Sequence, residues 1–212
     1  WQVVDFSDPT APAVAWEGLP GSAQGFPALD GDRLYVPAGG GVTLLDLRAG
    51  EAPAVRAWIA TGADDPWISG SGTSRVAADG GFLWAACSDT YGGGDVTHSL
   101  VLIDWRDPDA PEIADRSNFG WGGEYDDEVI YALESDQGSA VLTRMHRHWT
   151  GRPYEFVLTH DILFSSRDDA GHLAPLQRLP ATHVGAAAIA GDRSWVAEPS
   201  QVVRHLERPN GQ

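Results

Sequence analysis

Apolar residues in this chain come in short runs set between clusters of Gly, Pro, Asp and Ser. Leu34-Tyr35-Val36, Leu83-Trp84-Ala85, Ile130-Tyr131-Ala132 and Trp195-Val196 each follow a turn-like stretch: Asp30-Gly31-Asp32, Asp79-Gly80-Gly81, Asp126-Asp127-Glu128 and Gly191-Asp192. A Gly-rich or polar segment then leads to a further run, at Val42 to Leu47, Ser99 to Trp105, Ala140 to Met145 and Val202 to Leu206. Runs this short, bounded by residues that supply positive φ or preset a turn, predict strands rather than helices. The pattern predicts strands over 34–37, 42–47, 82–87, 99–105, 129–134, 140–146, 194–198 and 202–206.

The runs belong to a repeat. Leu19-Pro20, Gly25, Gly31-Asp32-Arg33, Val36 and Val42 return in register 160 residues later as Leu179-Pro180, Gly185, Gly191-Asp192-Arg193, Val196 and Val202. Such units cannot bury their apolar faces alone and must stack. Aromatic positions at 35, 84, 131 and 195 mark four copies, and four short strands per copy predict an all-β chain of the β-propeller kind. Residues 1–16 read as the third and fourth strands of one blade. Blades follow at about 19–60, 74–116 and 124–178, with a partial blade at 179–206. Tyr35, Trp84, Tyr131 and Trp195 are expected at equivalent, buried positions. The chain opens and closes on a third strand, so it reads as a segment of a six- to eight-bladed ring, a piece of a longer protein.

The third-strand motif is the most specific. Val3-Val4-Asp5-Phe6-Ser7-Asp8-Pro9-Thr10-Ala11-Pro12 matches Leu102-Ile103-Asp104-Trp105-Arg106-Asp107-Pro108-Asp109-Ala110-Pro111, with a degenerate copy from Leu44 to Pro53. Here the chain resembles the LVIVD-repeat family of bacterial and archaeal β-propellers. That resemblance implies an extracytoplasmic or cell-surface protein. Within the motif, Asp-Pro-x-x-Pro recurs, which points to a structural turn, since Asp can accept a main-chain hydrogen bond two residues on.

Composition removes some functions. The formal net charge is −16 and all 14 basic residues are Arg, a balance that opposes nucleic-acid phosphates and anionic membrane surfaces. A cationic partner or a bound cation such as Ca²⁺ is compatible with it. No apolar run is long enough to span a membrane as a helix. Cys87 is the only cysteine and sits in an apolar run, the setting of a small buried hydrophobe.

Candidate chemistry is sparse. No nucleophile elbow, His-Glu-x-x-His, P-loop or dinucleotide fingerprint occurs. Asn118-Phe119-Gly120-Trp121-Gly122-Gly123-Glu124-Tyr125 combines rings with flexible Gly and reads as a recognition loop. Trp121 and Tyr125 would be its aromatic anchors, and Asp126 and Asp127 its polar partners. A neutral sugar or a basic peptide would suit it, giving a non-enzymatic binding module for a carbohydrate or protein ligand. The alternative is a metal-assisted enzyme at the propeller mouth. There His146 and His148, two apart on one strand face, would join His160 and a nearby Asp around a transition metal. Arg144 on the same face opposes that arrangement. A third reading makes the chain the scaffold domain of a larger protein.

Overall fold

A computed structural model describes residues 2–5, 8–17, 25–48, 52–123, 127–151, 155–190, 193–197 and 203–207. Among these the chain is all-β, with seventeen strands and no helix. A hairpin of β1 (Gln2–Asp5) and β2 (Ala13–Glu17) comes first. Three four-stranded sheets follow, each antiparallel and in plain chain order. The first holds β3 (Ala28–Asp30), β4 (Arg33–Ala38), β5 (Gly41–Asp46) and β6 (Ala54–Ala60). The second holds β7 (Ile68–Asp79), β8 (Phe82–Tyr91), β9 (Val96–Asp104) and β10 (Glu112–Gly122). The third holds β11 (Asp127–Asp136), β12 (Ser139–Trp149), β13 (Phe156–Ser166) and β14 (Gln177–Ala181). A three-stranded sheet of β15 (Ala187–Ala190), β16 (Arg193–Ala197) and β17 (Val203–Glu207) ends the chain. All eight expected strands are present. No helix among the described residues is long and apolar enough to cross a membrane.

The second and third sheets turn from first strand to second in the same way. Gly80 and Gly81 take φ of 59° and 83°, and Gln137 and Gly138 take 48° and 75°, the paired positive values of a tight hairpin. Gln137 is the non-glycine residue with positive φ among those described. A main-chain bond then ties the end of the third strand back to the turn. Leu47 N donates to Asp32 O (2.7 Å), Trp105 N to Gly81 O (2.8 Å) and Arg167 N to Gly138 O (2.8 Å).

This recurring bond corrects the phase of the third unit. Its hairpin turn is Asp136-Gln137-Gly138, not Asp126-Asp127-Glu128, so Tyr131 lies on the first strand rather than the second. The register agrees: Arg33, Phe82, Ser139 and Arg193 face Asp46, Asp104, Ser166 and Glu207 in the four sheets. Two residues on, Tyr35, Trp84, Val141 and Trp195 are the equivalent positions. The apolar run at Val129–Leu133 precedes its turn as Val76–Ala78 precedes Asp79-Gly80-Gly81. An aromatic marker alone could not tell the two strands apart.

Packing follows from this phase. Alternate residues on a strand point to opposite faces, and here both faces are buried. Leu83, Ala85 and Cys87 face the first sheet together with Tyr35, Leu44 and Trp105. Phe82, Trp84 and Ala86 face the third sheet with Leu133, Leu142 and Leu163. Val141, Ile162 and Phe164 meet Val184 and Val196 of the last sheet region, with Tyr131 and Ile189 partly buried beside them. Tyr35, Trp84 and Val141 thus each pack toward the next sheet in the chain. The rings of Tyr35 and Trp105 meet edge-on at 5.5 Å. Cys87 is buried, and its burial pushes the thiol up to about 11. The Asp-Pro turns are structural, as the sequence indicates. Asp8 Oδ1 accepts from Thr10 N at 2.9 Å, and Asp107 Oδ1 accepts from Asp109 N at 3.0 Å.

Candidate functional site

The seam between the second and third sheets carries a row of alternating charges, one from each strand of the third sheet. Glu128 starts it on β11, Arg144 follows on β12, Asp161 on β13 and Arg178 on β14. Arg144 Nη1 donates to Glu128 Oε2 at 2.6 Å, and Arg144 Nη2 lies 3.1 Å from Asp161 Oδ2. Arg178 Nη2 donates to the same Asp161 oxygen at 2.5 Å. The first three side chains are buried, while Arg178 reaches solvent. Glu128 Oε1 and Arg144 Nε have no hydrogen-bond partner among the described residues.

Residues of the second sheet close over this row. His98 Nε2 lies 3.9 Å from Glu128 Oε2, and His98 Nδ1 is 3.0 Å from Ser88 Oγ. Phe119 stacks on His98 at 6.3 Å, and the Arg144 guanidinium carbon sits 5.1 Å from the Phe119 ring centre. Gly120 makes the approach feasible. A Cβ there would stand 2.7 Å from Arg144 Nη1 and 3.0 Å from Glu128 Oε2. Burial pushes the Glu128 carboxyl from its ordinary 4.5 up to about 7; Asp161 adds to the rise, and the Arg144 charge and hydrogen bond offset only part of it. The seam therefore holds a carboxyl whose proton is exchangeable near neutrality.

Trp121 is a neighbour of this seam. It stands on β10 opposite Thr97, not in a loop, and 68% of its surface is exposed. The strand reaches Trp121 because β9 and β10 continue to pair through Val96 and Gly122 past a bulge between Asn118 and Gly120. Trp67, 76% exposed, lies at the same end of the sheet, where its carbonyl accepts from Gly92 N at 3.1 Å. Tyr125 and Asp126 lie outside the described residues. Asp127 begins β11, and its side chain is also outside them.

The three histidines do not converge. His146 and His148 share one face of β12, their ring centres 6.1 Å apart, and Arg144 shares that face. His160 on β13 pairs with Met145, one residue out of step, so it points to the opposite face. There its ring meets that of His183 at 5.5 Å, and burial and the His183 charge lower its pKa. No group of three His, Cys, Asp or Glu side chains that could hold a metal ion occurs among the described residues. In the acidic pairs Asp64-Asp65 and Asp168-Asp169, one carboxylate serves a turn: Asp65 Oδ1 accepts from Trp67 N at 2.9 Å, and Asp168 Oδ1 from His172 N at 2.8 Å.

Sequence reasoning passed over the charge row. Its one local signal was Arg144, a charge inside the otherwise apolar or small stretch Ala140 to Met145. Its partners come from strands 16 and 17 residues away, and nothing local names them.

No family model matches the chain, and no curated protein matches it. Among solved structures the chain is similar to the computationally designed Ika4 protein, at 12% identity and a TM-score of 0.42, over 91% of this chain and 95% of that one. It is similar to the β-propeller domain of Nup133 from Vanderwaltozyma polyspora at 10% identity and a TM-score of 0.47, over 81% of this chain and 50% of that one. It is similar to apo AztD from Citrobacter koseri at 16% identity and a TM-score of 0.44, over 93% and 45%. The chain thus spans half the length of the Nup133 chain and less than half of AztD.

Proposed function

We propose that this chain is a β-propeller, or a segment of one, of LVIVD-repeat type, and that it serves as a non-enzymatic binding module outside the cytoplasm. The internal repeat supports the propeller reading, as does the succession of antiparallel sheets that each present the same second-strand position to the next. The extracytoplasmic assignment rests on the family resemblance. One observation carries the binding role: Trp121 is a largely exposed indole on a strand seated against its neighbour through Gly120. A ring so displayed buries large area on contact at low entropic cost.

The ligand is a neutral carbohydrate, whose apolar ring faces suit an indole platform. The net charge of −16 favours a second reading, a basic peptide, and opposes a phosphorylated ligand. A metal-assisted reaction through His146, His148 and His160 has less support, because His160 points away from the other two. A glycan and basic-peptide array probed with wild type, Trp121→Ala and Trp67→Ala tests the proposal. Loss of binding in Trp121→Ala with unchanged thermal unfolding is the expected result. Undiminished binding by a folded Trp121→Ala overturns it.

A further inference from the structure

Among the described residues many arginines are committed to carboxylates: Arg48 to Asp46, Arg56 to Asp109, Arg106 to Asp104 and Arg116 to Asp89. Arg75 on β7 is different. It is partly buried, and no carboxylate oxygen among the described residues lies within ion-pair distance of it. Glu134 on β11 acts on it only at longer range, and burial lowers the Arg75 pKa. Its Nε donates to Ile130 O at 2.9 Å, and its guanidinium carbon sits 3.7 Å from the centre of the Phe26 ring.

Phe26 is held there by the main chain. Phe26 N donates to Ser74 O at 3.0 Å and Phe26 O accepts from Val76 N at 3.4 Å, a parallel bridge from the first sheet region to β7. Gly25 permits it: its φ is 99°, and a Cβ would stand 2.2 Å from Ser74 O. Phe26 is nevertheless 58% exposed. It borders an open cleft of about 290 Å³ that Arg75, Ser88 and Ile130 also line. Behind Ser88 stands His98, 3.0 Å from the hydroxyl. A hollow lined by Arg33, Arg48 and Arg56 already holds the carboxylates of Asp32 and Asp46, and Arg48 and Arg56 are paired with Asp46 and Asp109.

A partly dehydrated guanidinium with no carboxylate at ion-pair distance, beside a hydroxyl and a phenylalanine that stays more than half exposed, suits an anion that carries apolar surface. We propose that this cleft is a binding site for a small carboxylate with a flat apolar group. Arg75 takes the carboxylate, the Ser88 hydroxyl donates to it, and the apolar part covers Phe26. The site is separate from recognition at Trp121 and stands without it.

Titration calorimetry of the full chain with benzoate, and with benzamide as its neutral isostere, tests the assignment. Benzoate is expected to bind at least about tenfold more tightly than benzamide. Arg75→Gln should abolish benzoate binding, Arg75→Lys should keep part of it, and Phe26→Ala should weaken both probes. Ser88→Ala, which leaves the Arg75–Ile130 bridge in place, should weaken benzoate severalfold and serves as the test if Arg75→Gln does not fold. Equal affinity for benzoate and benzamide overturns the proposal. So does benzoate binding retained in folded Arg75→Gln, undiminished benzoate affinity in Ser88→Ala, or no benzoate binding by the wild type.

Discussion

Glu128 couples the seam between the second and third sheets to pH. Its carboxyl titrates near 7 when folded against an ordinary 4.5, so the folded chain binds that proton more tightly than the unfolded one. The stabilising contribution is therefore full below pH 4.5 and is lost as the pH rises through about 7. At about 1.4 kcal/mol per pKa unit, the loss is on the order of 3 kcal/mol. Asp104 runs the other way. Its hydrogen bonds from Arg106 lower its pKa, so its contribution holds above 3.8 and is lost in acid. Urea unfolding between pH 5 and 7.5 should thus show stability falling with pH, and Glu128→Gln should flatten that limb. An equal slope in the variant would assign the dependence to other groups. Arg144 makes the complementary point: its removal would leave Glu128 and Asp161 buried without their shared cation, a loss of roughly 3–5 kcal/mol.

At the scale of the strand, stability comes from elements buried on both faces. β8 sends Trp84 into one core and Leu83 into the other, and both are fully buried. Trp84→Ala should cost about 3–5 kcal/mol in urea unfolding, the range for large core truncations. Trp84 Nε1 has no hydrogen-bond partner among the described residues, so the indole is there for volume. Trp84→Phe should therefore cost less than half as much as Trp84→Ala. Tyr131→Ala should also cost less, because Tyr131 is only partly buried at the margin of the third core. Equal losses for Trp84→Ala and Tyr131→Ala would restore the two as equivalent positions and undo the corrected phase.

Among the described residues, three apolar cores join successive sheets in chain order. Stability in such an array is close to a sum of unit and neighbour terms. The second sheet lies between two cores, and the last sheet contributes to one. Hydrogen exchange should accordingly be slowest in β8 and β9 and faster in β15 and β16. Uniform protection from β4 to β16 would instead mean that the stack opens as a single unit.

Local chemistry decided what was legible from the sequence. Strand positions follow from short apolar runs, hairpins from Asp-Gly and Gly-Gly pairs, and the Asp-Pro turns from a carboxylate reaching two residues along its own chain. The buried state of Cys87 follows from its apolar surroundings. Each of these depends on neighbours within a few positions. The phase of the third unit does not, because Asp126-Asp127 and Asp136-Gln137-Gly138 are both plausible turns; pairing of Ser139 with Ser166 selects the second. The face taken by His160 is likewise set by its register against Met145, and one residue of offset separates it from His146 and His148. The charge row and the Arg75 cleft join side chains from different strands and sheets. Such partners are chosen by which strands lie side by side, and only the folded structure supplies that.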